Sequence, residues 1–541
     1  MRRVRGRWAP LVALVVALAA AVVPAGPISA ASPDRPDRPD LVKTLAGFDD
    51  LWSPDPARPF QGTVIGADVL RRNDELAVWI NRHATPAQQF AALQDSAYGR
   101  SPGGYDQSIT IATGLGSVLG PLYVAGRQSG SLPLTSALLN SADGSAGAFQ
   151  VVGPAKVAFA YPRPFLPSDP TTPATRGDNP ACAPASANAS SLIGERVGMS
   201  YADGNGNLAI VRVAPAVDDT HRFTDQDVTL DPGYASPDLC TAGSFPSGHA
   251  LYAYEVGVIL ATLLPELGPE ILARASENAN DRVVLGVHYP LDVMGGRMGA
   301  QEAMAALWSD DQFRTAVLEP ARTELVTYLQ SRCGGTLATC VAEQAPYRAD
   351  PYGGAAMPGG TAQAVADRAS AVAVAGERLD YRLPPVGPTD LAPAVPDGAE
   401  NLLLTTFPTL TDAQRRAVLA QTGSASGAPL DLSAAGQGSW QRIDLAAAMS
   451  AAVRIGPAGT VTVTAVGGPV SVRTATDTPA TSAAPPGVSR SGAPESAAAG
   501  PSGVVPPTWF SPALGWSVAG LIVLLGGLAV VILVRRRPPA R

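Results

Sequence analysis

The sequence predicts a mainly α fold, with a small mixed α/β region after it and an apolar span at the C-terminal end, on three observations. Capped amphipathic patterns dominate the first two thirds of the chain. After about Glu343 they give way to short helices and an alternating run that reads as strands. Leu514 to Val534 is then apolar throughout and stops against "RRRPPAR".

The elements follow in chain order. "MRRVRGR" precedes the apolar run Leu11 to Val23 and the small residues "GPISAAS", the layout of a secretory signal peptide cleaved near Ala30 or Ala31. "TPAQQFAALQ" opens a helix with Thr85 as N-cap, Pro86 at the first helical position and Gln88 closing the cap. "GMSYADGNGNLAIVRVAP" alternates around Asn205 and Gly206 and predicts a hairpin. Asp203, Asn205 and Asn207 imitate the start of a calcium loop, but Leu208 stands where the loop needs glycine and Ala214 where it needs glutamate, so a turn is the better reading. "PSGHALYAYEVGVILATLLPELG" reads as a helix from about Ala250, and Glu255 inside it argues against a membrane span. "SDDQFRTAVLEPARTELVTYLQ" repeats the capping device with Ser309 and Gln312, keeps Phe313, Val317, Leu325 and Tyr328 on one face and predicts a kink at Pro320. Beyond it, "TLTDAQRRAVLAQT" is a helix capped by Thr411 and Gln414, and "TVTVTAVGGPVSVR" reads as a pair of strands. This later region carries no recognisable chemistry and reads as an accessory domain or a flap folded back on the first.

With 541 residues the chain has room for two folded units and appendages. The organisation expected is a signal peptide at 1–31, an N-terminal extension at 32–64, a main folded domain at 65–345 and an accessory region at 346–474. A Pro, Ser and Ala-rich stalk at 475–513, a membrane helix at 514–534 and a basic tail at 535–541, which belongs inside, complete it. The folded part is therefore expected outside the cell on a tether. Four cysteines suit that oxidising compartment, with Cys182–Cys240 and Cys333–Cys340 the expected pairs among three connectivities. Neither pair has zinc-ligand spacing with a nearby histidine, so no metal is expected. A net charge of −7 argues against a nucleic-acid partner, since no overall basic field would attract its backbone.

Chemistry concentrates in three segments. In "GSFPSGH", Ser247 and Gly248 precede His249 at a helix start, which brings a hydroxyl, exposed N–H groups and a positive helix end together. Alone that pattern is a turn and a cap. Downstream, "DRVVLGVHYPLD" sets Arg282, His288 and Asp292 close together, and the His288 to Asp292 spacing shares one face if the segment is helical. A carboxylate beside an imidazole fixes which ring nitrogen is free to act as base or nucleophile. Upstream, "KVAFAYPRP" adds Lys156 and Arg163. Two guanidinium groups and an ammonium converging on one point predict an oxyanion between them. His83 and His221 read as surface or cap residues, and "NAS" at Asn188 as a glycan acceptor only in a host that attaches them.

These segments resemble the three-part motif of the type 2 phosphatidic acid phosphatase superfamily, which includes class A bacterial acid phosphatases and vanadium haloperoxidases. The motif is Lys, six residues, Arg-Pro; then Pro-Ser-Gly-His; then Ser-Arg, five residues, His, three residues, Asp. The chain matches every named position except the serine before Arg282, which is Asp281; its carboxylate either repels phosphate or points away. The resemblance spans roughly Ile65 to Ala306 and implies a helical bundle, a site at one end and hydrolysis without a metal. It implies His288 as nucleophile, Asp292 as its orienter and His249 as general acid and base, with Lys156, Arg163, Ser247, Gly248 and Arg282 holding the phosphoryl oxygens. Vanadate could occupy the same residues, as inhibitor or, in a haloperoxidase, as cofactor; a noncatalytic surface protein is the third alternative. Glu255, Arg282 and Asp292 break the apolar runs of the catalytic region, which favours soluble phosphomonoesters over lipid-linked phosphates.

Overall fold

Three helices that are buried almost all round form the centre of the molecule. In the computed structural model, which describes residues 36–101, 104–139, 146–164, 189–234, 238–436 and 438–474, the peripheral helices α1 (Ala67–His83), α2 (Pro86–Tyr98), α3 (Leu119–Gln128) and α4 (Gly153–Phe159) come first. The central ones follow as α5 (Gly248–Leu263), α6 (Gly268–Val284) and α7 (Pro290–Ser309). A helix that is apolar on every side can only sit inside, and α5 buries every residue from Ala253 to Leu263. It packs along both α6 and α7. Glycines allow the close approach: a Cβ on Gly257 of α5 would lie 2.5 Å from the Ala275 Cβ of α6, and one on Gly296 of α7 would lie 2.8 Å from the Leu251 nitrogen of α5. Glu255, the lone carboxylate within α5, accepts a hydrogen bond from the Gln150 N–H at 2.9 Å, and burial pushes its pKa up.

The N-terminal residues are part of this core. Leu41, Leu45, Phe48, Leu51 and Trp52 are buried, and Phe48 stacks on Phe245 with ring centroids 3.8 Å apart. Phe159, Tyr161 and Trp52 complete an edge-to-face aromatic cluster around these rings, and Tyr289 joins it through Tyr161.

Several local expectations need correction. The hairpin predicted around Asn205 is a turn without strands, with one isolated bridge from Ala202 to Leu208. The Asp203 carboxylate accepts from the N–H groups of Asn205 and Asn207, and the Asn81 side chain of α1 both accepts from the Val211 N–H and donates to its carbonyl. That backbone is satisfied by a helix side chain instead of a partner strand. Ser309 is the last residue of α7; Asp310 caps the next helix, accepting from the Phe313 N–H. The disturbance expected at Pro320 is taken up by a π-helical turn at Arg314–Leu318, one residue before α8 (Glu319–Cys333). Helix α5 starts at Gly248, two residues earlier than Ala250.

Residues 346–474 fold back on the bundle, and all described residues lie in one compact unit. Helix α9 (Arg368–Glu377) lies on α6, and α10 (Asp412–Thr422) carries the expected Thr411 and Gln414 capping box. Buried Arg297 of α7 donates to the carbonyls of Trp440 at 3.3 Å and Gln441 at 3.1 Å, which ties this segment to a central helix. The strands β1 (Ala452–Ile455), β2 (Val461–Ala465) and β3 (Ser471–Thr474) form a sheet of order β2-β1-β3. The two strands expected here are β2 and β3, and β1 lies between them, antiparallel to the first and parallel to the second. Cys333 and Cys340 form a disulfide. Cys182, Asn188, the leader at 1–31 and everything from 475 onward lie outside the described residues. Among the described residues no single helix is long and apolar enough to cross a membrane.

Candidate active site

The first segment reaches the site from α4. Lys156 lies in its last turn, half-buried, and its Nζ donates to the carbonyls of Gly243 at 2.6 Å and Ser244 at 3.0 Å. Ala160, left-handed at φ 40°, caps the helix by donating its N–H to the Lys156 carbonyl and turns the chain towards Arg163. The Tyr161 carbonyl accepts from the Ser244 N–H at 2.7 Å, so the first segment is stitched to the second. Arg163 is 5% exposed; its Nη1 donates to the Val287 carbonyl at 2.9 Å and to His288 Nε2 at 3.1 Å.

The second segment is the start of α5. Ser247 is its N-cap, with extended backbone and an Oγ that accepts from the Ala250 N–H at 3.3 Å. Gly248 and His249 are the first two helical residues, both half-buried, where helix N–H groups and the positive end of the dipole are available to an anion. The His249 carbonyl accepts from Gln107 Nε2 at 3.3 Å.

The third segment departs from the expected geometry. Helix α6 ends at Val284, Gly286 turns the chain at φ 71°, and α7 begins only at Pro290. His288 thus precedes α7 and does not share a helical face with Asp292; the contact forms because Asp292 is the third residue of α7 and reaches back. Asp292 Oδ2 accepts from His288 Nδ1 and from the Tyr289 N–H, each at 2.9 Å, and from the Ser244 hydroxyl. The Asp292 carbonyl accepts from the Ser247 N–H at 3.0 Å, which locks the third segment to the second. Arg282, near the end of α6, donates from Nη1 to the Ser96 hydroxyl of α2 at 3.2 Å.

Burial first, and then the charges of Arg163, Lys156, Arg282 and His249, hold the His288 pKa well below its ordinary value. All three cations and the second histidine therefore act on one imidazole. Because Arg163 can only donate, Nε2 of His288 is the acceptor and its proton resides on Nδ1, against Asp292. Burial pushes the Asp292 carboxyl up to about 6, opposed by the Ser244 hydroxyl, the Tyr289 N–H and the nearby cations. Asp281 faces the other way. It is buried beside Asp95 and Glu277, and burial with these carboxylates holds its carboxyl well above the ordinary range. Both effects disfavour the charged form of Asp281 beside Arg282. Asp95 meanwhile pairs with Arg274 through two hydrogen bonds, at 3.0 and 2.6 Å.

Hydrogen bonds thus link Lys156, Arg163, His288 and Asp292 with the start of α5, and the charges of His249 and Arg282 act on His288. Among their supports, Ser96 and Gln107 were not visible in the sequence, because they reach the site only through long-range packing. Only Ser244 and Tyr289 carried a signal, as neighbours of the motifs. His83 stacks on Trp79 and His221 pairs with Asp227, both exposed and away from these groups. Among the described residues no group of three His, Cys, Asp or Glu side chains could hold a metal ion.

Comparison with known proteins points the same way. An acid phosphatase of Zymomonas mobilis is 37% identical over 103 residues, which cover 19% of this chain and 39% of that protein. Non-specific acid phosphatases of Providencia stuartii and Salmonella typhi are 35% identical over 86 residues and 34% identical over 83, covering 34% and 33% of their lengths. The chain spans well under half the length of these curated relatives. The stretch that contains all three segments, residues 137–314, matches the model of the PAP2 superfamily. Those residues are a PAP2 superfamily domain.

Proposed function

We propose that the chain is a phosphoric monoester hydrolase that works through a phosphohistidine, with its folded part outside the cell on a membrane tether. The observation that carries the reading is the placement of His288, whose Nδ1 is held by Asp292 while the Nε2 lone pair faces Arg163. A phosphoryl group between Lys156, Arg163, Arg282 and the N-terminus of α5 presents its phosphorus to that lone pair. The reaction then runs in two displacements. Nε2 attacks phosphorus as the ester P–O bond breaks, and His249 in its protonated form delivers a proton to the departing oxygen. The now neutral His249 takes a proton from water, whose oxygen attacks phosphorus; the P–N bond breaks, Nε2 regains its electron pair and phosphate leaves. The cations and the N–H groups of Gly248 and His249 stabilise the charge on the equatorial oxygens. No metal or cofactor enters either step.

Substrates are soluble phosphomonoesters in this reading. The acid phosphatases matched over part of the chain support the reaction class, and the signal-like leader, the Pro-rich stalk and Leu514–Val534 support the location. The test is phosphate release from an aryl phosphate by purified residues 36–474. The expected result is turnover that His288→Ala lowers at least about a hundredfold. A variant that keeps more than that, or a wild type that releases nothing, would contradict the proposal.

A further inference from the structure

Ser244 is fully buried and touches all three segments of the site. Its N–H donates to the Tyr161 carbonyl at 2.7 Å, and its own carbonyl accepts from Lys156 Nζ at 3.0 Å. Any residue could supply those backbone contacts. The hydroxyl is different: it donates to Asp292 Oδ2 and stands 3.4 Å from His288 Nδ1. Among the described residues the other oxygen of that carboxylate, Oδ1, has no hydrogen-bond partner, so Oδ2 alone anchors Asp292. Only three donors hold it there: His288 Nδ1, which is the group being oriented, the Tyr289 N–H, and the Ser244 hydroxyl. Ser244 is therefore the one side chain, apart from the nucleophile, that fixes the orienting carboxylate.

We infer that Ser244 is a positioning residue of the reaction: through Asp292 its hydroxyl fixes the direction of the His288 ring. The inference rests on the hydrolase reading above. A donor withdrawn from Oδ2 leaves the carboxylate free to rotate about the Tyr289 contact, and the lone pair on Nε2 no longer points at a fixed place. The phosphate-holding groups Lys156, Arg163 and Arg282 keep their own contacts, so binding should survive where turnover does not. Removal of a hydrogen bond to the anionic form also makes the Asp292 carboxylate harder to ionise.

The test uses Ser244→Ala and the isosteric but weakly donating Ser244→Cys, with Ser244→Thr as the restoring variant, all in residues 36–474. Ala and Cys are expected to lower kcat about ten- to hundredfold, as loss of a hydrogen bond to a charged group should, with KM changed less than about threefold. The acid limb of the kcat/KM profile should move to higher pH, and Thr should recover much of kcat. Wild-type kcat in a folded Ala or Cys variant, or a loss in both with an unmoved acid limb, overturns the inference. Ring nitrogen shifts of His288 by NMR separate this from failure of the hydrolase reading, because they need no turnover. If the wild type releases no phosphate the hydrolase reading falls, whereas shifts identical in wild type and both variants sink the role of Ser244.

Discussion

His288 lies between a carboxylate that favours its charged form and three cations that oppose it, and the cations together with burial prevail. The consequence is a neutral ring whose Nε2 lone pair accepts from Arg163. An anion between Lys156, Arg163 and Arg282 cancels part of the repulsion that these groups exert on an imidazolium. The sign follows: the His288 pKa, held down in the free protein, should rise when an anion binds between these groups. Titration of the ring carbon resonances with and without vanadate checks this, and an unchanged or lower value on binding would place the anion elsewhere. Asp281 teaches the complementary lesson. The sequence shows an acid where the family motif has serine, but not that α6 turns this side chain to a buried cluster with Asp95 and Glu277, where burial and the two carboxylates disfavour its charge.

At the scale of elements, the site depends on how closely α7 lies against the start of α5. A Cβ on Gly296 would come within 2.9 Å of the Ser247 carbonyl and the Ala250 Cβ, so the second and third segments meet over a glycine. Alanine in a helix interior normally gains about 0.5–1 kcal/mol over glycine. Gly296→Ala should instead lose about 1–3 kcal/mol through overpacking and lower activity as α7 is pushed from Ser247. Gly194, in the helix Ser190–Arg196 with nothing near its missing Cβ, is the control, and Gly194→Ala should be neutral or stabilising. Denaturant unfolding of both variants decides the matter; equal effects would mean that the α5–α7 contact yields freely. Local signals such as the caps at Thr85 and Thr411 are legible in the sequence because each is a contact within three residues. The hairpin at Asn205 was misread for the opposite reason: Asn81, distant in sequence, takes the hydrogen bonds that local alternation assigns to a neighbouring strand.

For the molecule as a whole, the polar residues of the site were legible because they recur in three separated segments with fixed spacing, and one fold has to bring such segments together. The scaffold beneath them was not. Phe48, Phe159, Tyr161, Phe245 and Tyr289 form one aromatic floor to which the N-terminal residues and each of the three segments contribute, yet in the sequence each is an isolated ring. The segment 346–474 similarly shows no chemistry of its own, and its place becomes apparent through contacts such as those of Arg297, whose buried guanidinium needs the carbonyls of Trp440 and Gln441. The central claim is that this scaffold directs one imidazole nitrogen at phosphorus. Rapid quenching of residues 36–474 with phosphorus-labelled aryl phosphate, followed by peptide mapping, tests it most directly. The account predicts acid-labile, base-stable label on the peptide that carries His288 and none in His288→Ala; label on another residue, or turnover with no labelled intermediate on His288, would contradict it.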